Sequence, residues 1–124
     1  KLRAGTARCI IKPNQLFSRI HVEDIAQVLM ASIQAPNAGA VYNICDDEAA
    51  PPQDVIGYAA RLLGLPAPQS EDFATAKLSS IAQSFYSESK KVRNDRIKRD
   101  LGVRLRYPTY RDGLRAFLDQ DDMP

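Results

Sequence analysis

Residues 17–26, FSRIHVEDIA, join an extended segment to a helix and carry most of the fold prediction. Alternation along the extended segment places Arg19 and His21 on one face. Glu23 and Asp24 then fall in the first turn of the helix, where carboxylates are favoured. Because a guanidinium binds phosphate or carboxylate and an imidazole donates hydrogen bonds or exchanges protons, Arg19 and His21 are candidate substrate-binding residues. A structural alternative stays open, in which His21 bonds to backbone or an acid and Arg19 pairs with Glu23 or a distant carboxylate.

The flanking sequence predicts a small hairpin and a helix. ARCII at 7–11 and LFSRIHV at 16–22 are rich in β-formers and are separated by a Pro13-Asn14 turn, so a hairpin is expected from about Arg8 to Val22. After it, apolar residues recur at helical spacing until Pro36, Asn37 and Gly39 end the helix.

The rest of the chain alternates between helical and extended patterns. AVYNIC at 40–45 is typical of a buried strand at a sheet edge, and 65–72 is a predicted loop. Further helices are predicted after Pro51-Pro52 up to Gly64, over about 95–101 with Asn94 as the N-cap and Gly102 as the stop, and after a Thr109 cap. We therefore expect an α/β fold with one domain over 1–120 and a frayed tail at 121–124.

Composition is that of an ordinary globular protein. The chain has 124 residues, 44% hydrophobic and 26% charged, with a net charge of +2, which is too small to require a polyanionic partner. No stretch is long enough to span a bilayer, so no membrane partner is expected. Because the net charge is small, no nucleic-acid partner is expected either. Cys9 and Cys45 lack metal or redox spacing and are predicted to be buried free thiols, which fits a cytoplasmic protein. Because the chain starts at Lys1, in what looks like the end of a helix, we expect a piece of a longer protein.

The sequence lacks the residues that several kinds of catalytic site require. The single histidine argues against zinc and hydrolytic sites, and the six glycines form neither a dinucleotide fingerprint nor a phosphate-binding loop. The acidic run 46–48 is predicted to be a solvated loop without a metal. Tyr86 and Lys90, in FYSESK at 85–90, have the spacing of a catalytic Tyr/Lys dyad. The two serines between them disfavour a helix, and the next helix is predicted to start only near Asn94, so the spacing is interpreted as a coincidence.

The basic segment 90–101, KKVRNDRIKRDL, allows a second hypothesis. Six cations face only two acids there, so a small non-enzymatic module that binds an acidic partner or RNA is the alternative function. No aromatic side chains interleave with the cations for base stacking, and a solvated helix face is favoured.

The ordered set of FSRIHVEDIA, AVYNIC, a Pro-Pro helix and the Leu101-Gly102 segment resembles the C-terminal portion of the NAD-dependent epimerase/dehydratase group of the short-chain dehydrogenase/reductase superfamily. The residues that carry the match are His21, Val22 and Asp24, then Tyr42 and Asn43, then Leu101 and Gly102. The resemblance extends from about Gly5 to Leu118. It implies the C-terminal part of a Rossmann-type protein of the extended or atypical kind.

The resemblance also implies separate roles for two domains. An N-terminal cofactor-binding domain would hold NAD or NADP and the catalytic Tyr/Lys pair, and the present chain would supply the substrate side without catalysis or cofactor binding of its own. Members that act on nucleotide-sugars often place an arginine four residues before the histidine, where this chain has Phe17, so a sugar-nucleotide substrate is not favoured. The isolated chain, with its unpaired strand edge, is expected to self-associate.

Overall fold

The computed structural model describes residues 1–121, and its longest helix, α1, spans Val22–Gln34. His21 is the N-cap, and Glu23 and Asp24 occupy the first turn, where their charges favour the helix N-terminus. The helix ends at Ala35, just before Pro36, whose ring disfavours helical backbone in the preceding residue. The helix predicted from the periodicity of this segment is confirmed.

The other predicted helices are also present. The described elements, in chain order, are β1 (Cys9–Ile11), α1, α2 (Pro52–Leu62), β2 (Ser70–Asp72), α3 (Ser80–Phe85), α4 (Asp95–Leu101) and α5 (Tyr110–Asp121). Gly102 ends α4 with a φ of 64°, a left-handed conformation that glycine adopts without a steric cost. The backbone N–H of Thr109 donates to Asp112 Oδ2 at 3.2 Å, which fixes the start of α5.

The predicted hairpin from Arg8 to Val22 is wrong. Strand β1 instead pairs in parallel with β2, with Cys9 opposite Ser70 and Ile11 opposite Asp72. The predicted loop 65–72 therefore contains a strand, held in register by Arg8, whose guanidinium donates to both carboxylate oxygens of Glu71 at 2.9 and 2.7 Å. The 16–22 segment makes one antiparallel bridge, between Phe17 and Ala50.

Residues 40–45, the predicted edge strand, are not in a strand ladder with any part of the described chain. Their backbone is held by side chains instead, since Arg96 donates to the Val41 carbonyl at 3.0 Å and Asn94 donates to the Cys45 carbonyl at 3.0 Å. The sheet partner that the resemblance implies for this segment is not among residues 1–121.

The core lies between α1 and α4. Val28, Ile97 and Val103 are at most 4% exposed, and partly buried apolar residues pack around them: Ala31, Tyr42, Ile44, Leu101 and Leu105. Helix α2 packs on both β1 and α5, and this packing joins the N-terminal and C-terminal parts of the described chain. Cys9 and Cys45 are buried and free, as predicted.

The predicted boundaries of the domain stay a prediction. Asp121 is the last residue of α5, so the frayed tail predicted at 121–124 otherwise lies outside the described residues.

Candidate functional site

The 16–21 segment forms the centre of the candidate site and is held by backbone bonds to the 46–50 loop. Phe17 and Ala50 exchange two hydrogen bonds of 3.1 Å, and the Asp46 N–H donates to the Arg19 carbonyl at 2.6 Å. Arg19 adds a side-chain clamp, because its Nη1 donates to the carbonyls of Phe17 at 3.1 Å and Ala50 at 3.0 Å. This segment therefore keeps one conformation next to the loop.

His21 is buried in an aromatic stack. Its ring lies 4.0 Å from that of Tyr107 and 4.6 Å from that of Phe117, with interplanar angles of 26° and 19°. Nδ1 accepts the Glu23 N–H at 3.0 Å, so the ring proton of the neutral form lies on Nε2. A Cβ on Gly113 would lie 3.2 Å from His21 Cδ2, so the glycine makes room for the ring.

Arg19, His21 and Asp46 line a cavity of about 130 Å³, here called the inner cavity. Apolar residues complete it, among them Val55, Leu114 and Phe117. His21 Nε2 has no hydrogen-bond partner among residues 1–121. Burial raises the pKa of Asp46 to about 6, and burial lowers the pKa of Arg19 although the Asp46 charge opposes that shift. The inner cavity thus offers a donor, a guanidinium and a readily protonated carboxyl to a small polar group or to water.

The structure resolves part of the alternative left open for these residues. His21 bonds to backbone, as the structural alternative held, whereas Glu23 accepts the Tyr107 hydroxyl at 3.0 Å and pairs with Arg106 at 3.6 Å instead of with Arg19. The substrate-binding role of Arg19 and His21 stays a prediction.

Asp24 has a role that the sequence did not reveal. Its side chain is fully buried and accepts three hydrogen bonds, from the N–H groups of Arg106 and Tyr107 at 2.9 Å and from Gln27 Nε2 at 3.0 Å. This carboxylate joins the start of α1 to the segment before α5 and so fixes Tyr107 against His21. The His-Val-x-Asp pattern, whose last residue is Asp24, was the sequence signal that could have identified this role.

The acidic run 46–48 is a loop, as predicted, but only Asp47 in it is exposed. Asp46 is buried and accepts the Glu48 N–H at 3.0 Å, while Glu48 binds Arg111 at 2.5 Å. Asp47 accepts from Lys98 at 2.6 Å and from Asn94 at 2.8 Å. Asn94 is the N-cap residue of α4, as predicted, but its side chain binds this loop and makes no capping hydrogen bond. Within the described ranges, His, Cys, Asp and Glu form no cluster that could hold a metal ion.

A second concave surface lies between Phe17-Ser18 and residues 84–92, and we call it the outer groove. It measures about 310 Å³ and is lined by Phe17, Phe85 and Val92 with serines, Glu88 and Lys90. Ser18 bonds to the Lys90 carbonyl and the Val92 N–H, each at 3.2 Å, which fixes the two walls relative to each other. Phe85 and Val92 are 65% and 41% exposed, so an apolar surface is open in this groove.

Tyr86 and Lys90 do not share a helical face. Tyr86 is the residue that ends α3, and its ring stacks on Phe73 at 5.1 Å and meets Phe17 edge-on at 5.4 Å. Lys90 lies beyond the helix, where it pairs with Glu88 at 3.2 Å and donates its N–H to the Leu16 carbonyl at 2.9 Å. The spacing in FYSESK therefore forms no dyad geometry.

Ion pairs neutralise much of the basic segment. Arg93 pairs with Asp95, Arg96 and Arg99 both pair with Asp100, and Lys98 pairs with Asp47. This pairing reduces the positive surface that an RNA or an acidic partner would need.

Comparison with solved structures gives the fold. A functionally unknown conserved protein from Silicibacter pomeroyi DSS is 64% identical, with a TM-score of 0.92, and this chain covers 43% of it. The human epimerase family protein SDR39U1, solved with NADPH, matches 95% of this chain at 20% identity and a TM-score of 0.71. RMD from Pseudomonas aeruginosa, complexed with NADPH, matches 90% at 18% identity and a TM-score of 0.66.

This chain has the fold found in part of a human epimerase family protein and in part of RMD, both solved with NADPH. The resemblance predicted from His-Val-x-Asp and Tyr-Asn is confirmed, as is the α/β class.

Sequence comparison finds similarity to part of a reductase. A 3-diazoavenalumate denitrifying reductase from Streptomyces sp. is 30% identical over 99 residues, which are 78% of this chain and 32% of that protein. No family model matches. This chain spans less than half the length of each of these relatives, at most 43%. In the described part, every helix is too short or too polar to cross a bilayer.

Proposed function

We propose that this chain is the substrate-side portion of a longer NAD(P)-dependent oxidoreductase or epimerase-like protein and that it does not catalyse a reaction alone. The observation that carries the proposal is the match of 90–95% of this chain to only 34–40% of two proteins solved with NADPH. The cofactor, NAD or NADP, would bind to the portion of the longer protein that precedes this chain.

Helix α1 offers a surface for that portion. Val22, Leu29, Met30 and Ile33 are 54–73% exposed, and we call this row the α1 stripe. Residues 22, 29 and 33 recur at helical spacing and so share one face. Because a folded chain seldom leaves such a row in water, the cofactor-binding portion is its proposed partner. In the isolated chain the same stripe would drive self-association.

The outer groove is the proposed place for the substrate. Its volume of about 310 Å³ lies at the lower end of ligand-binding sites, whereas the inner cavity is smaller than such sites. Phe17 and Phe85 present ring surface, so the groove suits an apolar or aromatic portion of a substrate. Arg19 and His21 line the inner cavity instead, and Arg19 holds the Phe17 segment through its hydrogen bond to the Phe17 carbonyl.

The gene sequence upstream of Lys1 gives a first test. Under this proposal it encodes a glycine-rich strand-turn-helix and a helical Tyr-x-x-x-Lys. Hydrogen exchange on the longer protein should then show the α1 amides more protected than in this chain. A native start near Lys1, together with salt-sensitive RNA binding, would favour the interaction module.

The groove is tested in the longer protein against a panel of carbonyl substrates with NADPH. Phe85→Ser should raise KM without changing NADPH affinity, since Phe85 lines the groove. Ile81→Ser is the matched control, because Ile81 is 71% exposed on the same helix and does not line the groove. Equal kinetic constants for both variants would contradict the proposed substrate position.

A further inference from the structure

A third concave surface, the α2 pocket, lies between α2, the start of α5 and the turn after α2. It measures about 590 Å³, within the usual range of small-molecule sites, and shares no lining residue with the outer groove. The lining residues used below are Gln53, Asp54, Gly57, Tyr58, Arg61 and Tyr110. Neither the fold comparison nor the proposed function assigns a role to this pocket.

Gly57 forms the open floor of the pocket. It lies in the middle of α2, where glycine costs about 1 kcal/mol of helix stability relative to alanine. A Cβ at this position would meet nothing within 4 Å, so packing among the described residues does not require a glycine. The missing side chain instead keeps the space above the helix free.

The polar groups at the two ends of the pocket differ in character. At the start of α2, Asp54 offers an exposed carboxylate, whereas Gln53 Oε1 is buried away from solvent. Arg61 lies near the end of the helix, about 10 Å from Asp54 along the axis at the usual rise per residue. One end therefore accepts hydrogen bonds, and the other offers a guanidinium.

The middle of the pocket is aromatic. The rings of Tyr58 and Tyr110 meet edge to face, with centroids 5.9 Å apart and an interplanar angle of 86°. A flat ring placed over Gly57 would contact the face of one tyrosine, an arrangement that aromatic pairs favour.

We propose that the α2 pocket binds an elongated aromatic molecule with an amino group at one end and a carboxylate at the other. The amino group donates to the Asp54 carboxylate, the ring lies over Gly57 against Tyr58, and the carboxylate binds Arg61. A hydrogen bond with a charged partner is stronger than one between neutral groups, so both ends of the ligand contribute to binding. This site is independent of the proposed cofactor and substrate roles.

The first experiment titrates the chain with 4-aminophenylacetate and follows backbone amide shifts by NMR. We expect saturable shifts at Gly57 and Tyr58 with a dissociation constant of about 1 mM, as befits so small a ligand. Phenylacetate lacks the donor and 4-methylaniline lacks the carboxylate, so each should bind several-fold more weakly. Absence of saturable shifts, or equal binding of all three probes, would overturn the proposal.

Variants separate the pocket from general effects. Gly57→Ala should weaken binding at least several-fold while the thermal midpoint stays level or rises, because alanine favours the helix. Arg61→Gln should weaken 4-aminophenylacetate about ten-fold and leave 4-methylaniline unchanged. Arg99→Gln, an exposed cation on α4, is the matched control and should change neither. Unchanged binding in Gly57→Ala or Arg61→Gln contradicts the site.

Discussion

Replacing Asp24 by alanine should destabilise the chain more than any surface substitution. The carboxylate is fully buried and accepts hydrogen bonds from the backbone of Arg106 and Tyr107 and from Gln27, at 2.9–3.0 Å. Water cannot replace these bonds without opening the contact between α1 and the 103–108 segment. The substitution therefore leaves the N–H groups of Arg106 and Tyr107 without their acceptor in a part-buried contact.

The size of the effect follows from those two donors. An unsatisfied buried donor costs about 1–3 kcal/mol, so Asp24→Ala should lower the free energy of unfolding by about 2–6 kcal/mol. That is a large part of the 5–15 kcal/mol or so that holds a typical domain folded. Asp24→Asn keeps one carbonyl oxygen and turns an amide toward the second donor, so it should cost about half as much.

Urea denaturation followed by circular dichroism measures these changes. Asp95→Ala is the matched control, since Asp95 also lies in the first turn of a helix but is exposed, and its pair with Arg93 should contribute less than about 1 kcal/mol. A loss below about 1 kcal/mol in Asp24→Ala would refute the role assigned to this carboxylate.

Three further predictions concern the stack, the loop and the stripe. Gly113→Ala should destabilise the chain by about 1–3 kcal/mol in urea although alanine favours helices, because its Cβ would crowd His21; unchanged stability would exclude that crowding. The pKa of Asp46 is raised from 3.8 to about 6, so its ionisation should reduce stability as pH rises through that window. Thermal melts of the wild type and Asp46→Asn should diverge there, and parallel curves would contradict the shift. Leu29→Glu with Ile33→Glu should lower the apparent mass of the isolated chain by light scattering, whereas a monomeric wild type at high concentration would refute self-association.

Local sequence was sufficient to predict the helices. Periodic apolar residues, a Pro-Pro start and a glycine stop bound α1, α2 and α4, and these signals act within one or two turns. The parallel pairing of β1 with β2 was not predictable in this way, because Ser70–Asp72 has no β-forming residue and lies about 60 positions from its partner. The predicted hairpin failed because β1 found that distant partner.

The candidate site was predictable as a segment but not as a set of contacts. The sequence identified residues 17–26, and His21, Arg19 and Asp24 all have buried roles there. Their partners come from the 46–50 loop, Tyr107 and Phe117, whose proximity depends on the packing of α5. The run 46–48 is the predicted loop, but its buried and paired acids were missed for the same reason, since Asn94, Lys98 and Arg111 reach it from distant parts of the chain.

The exposed α1 stripe is the observation behind the proposed partner. It leaves four large apolar residues in water on one helix, which a folded chain seldom does. The fold match, which covers nearly all of the chain but less than half of each relative, supports the same proposal independently.

Titration with NADPH and NADH tests most directly the proposal that the cofactor binds outside this chain. Cofactor fluorescence is measured on this chain and on the longer protein that the upstream gene sequence encodes. We predict saturable binding to the longer protein and none to this chain. Binding of similar affinity to this chain alone, or no binding to the longer protein, would contradict the assignment of the chain as the substrate side of an NAD(P)-dependent enzyme.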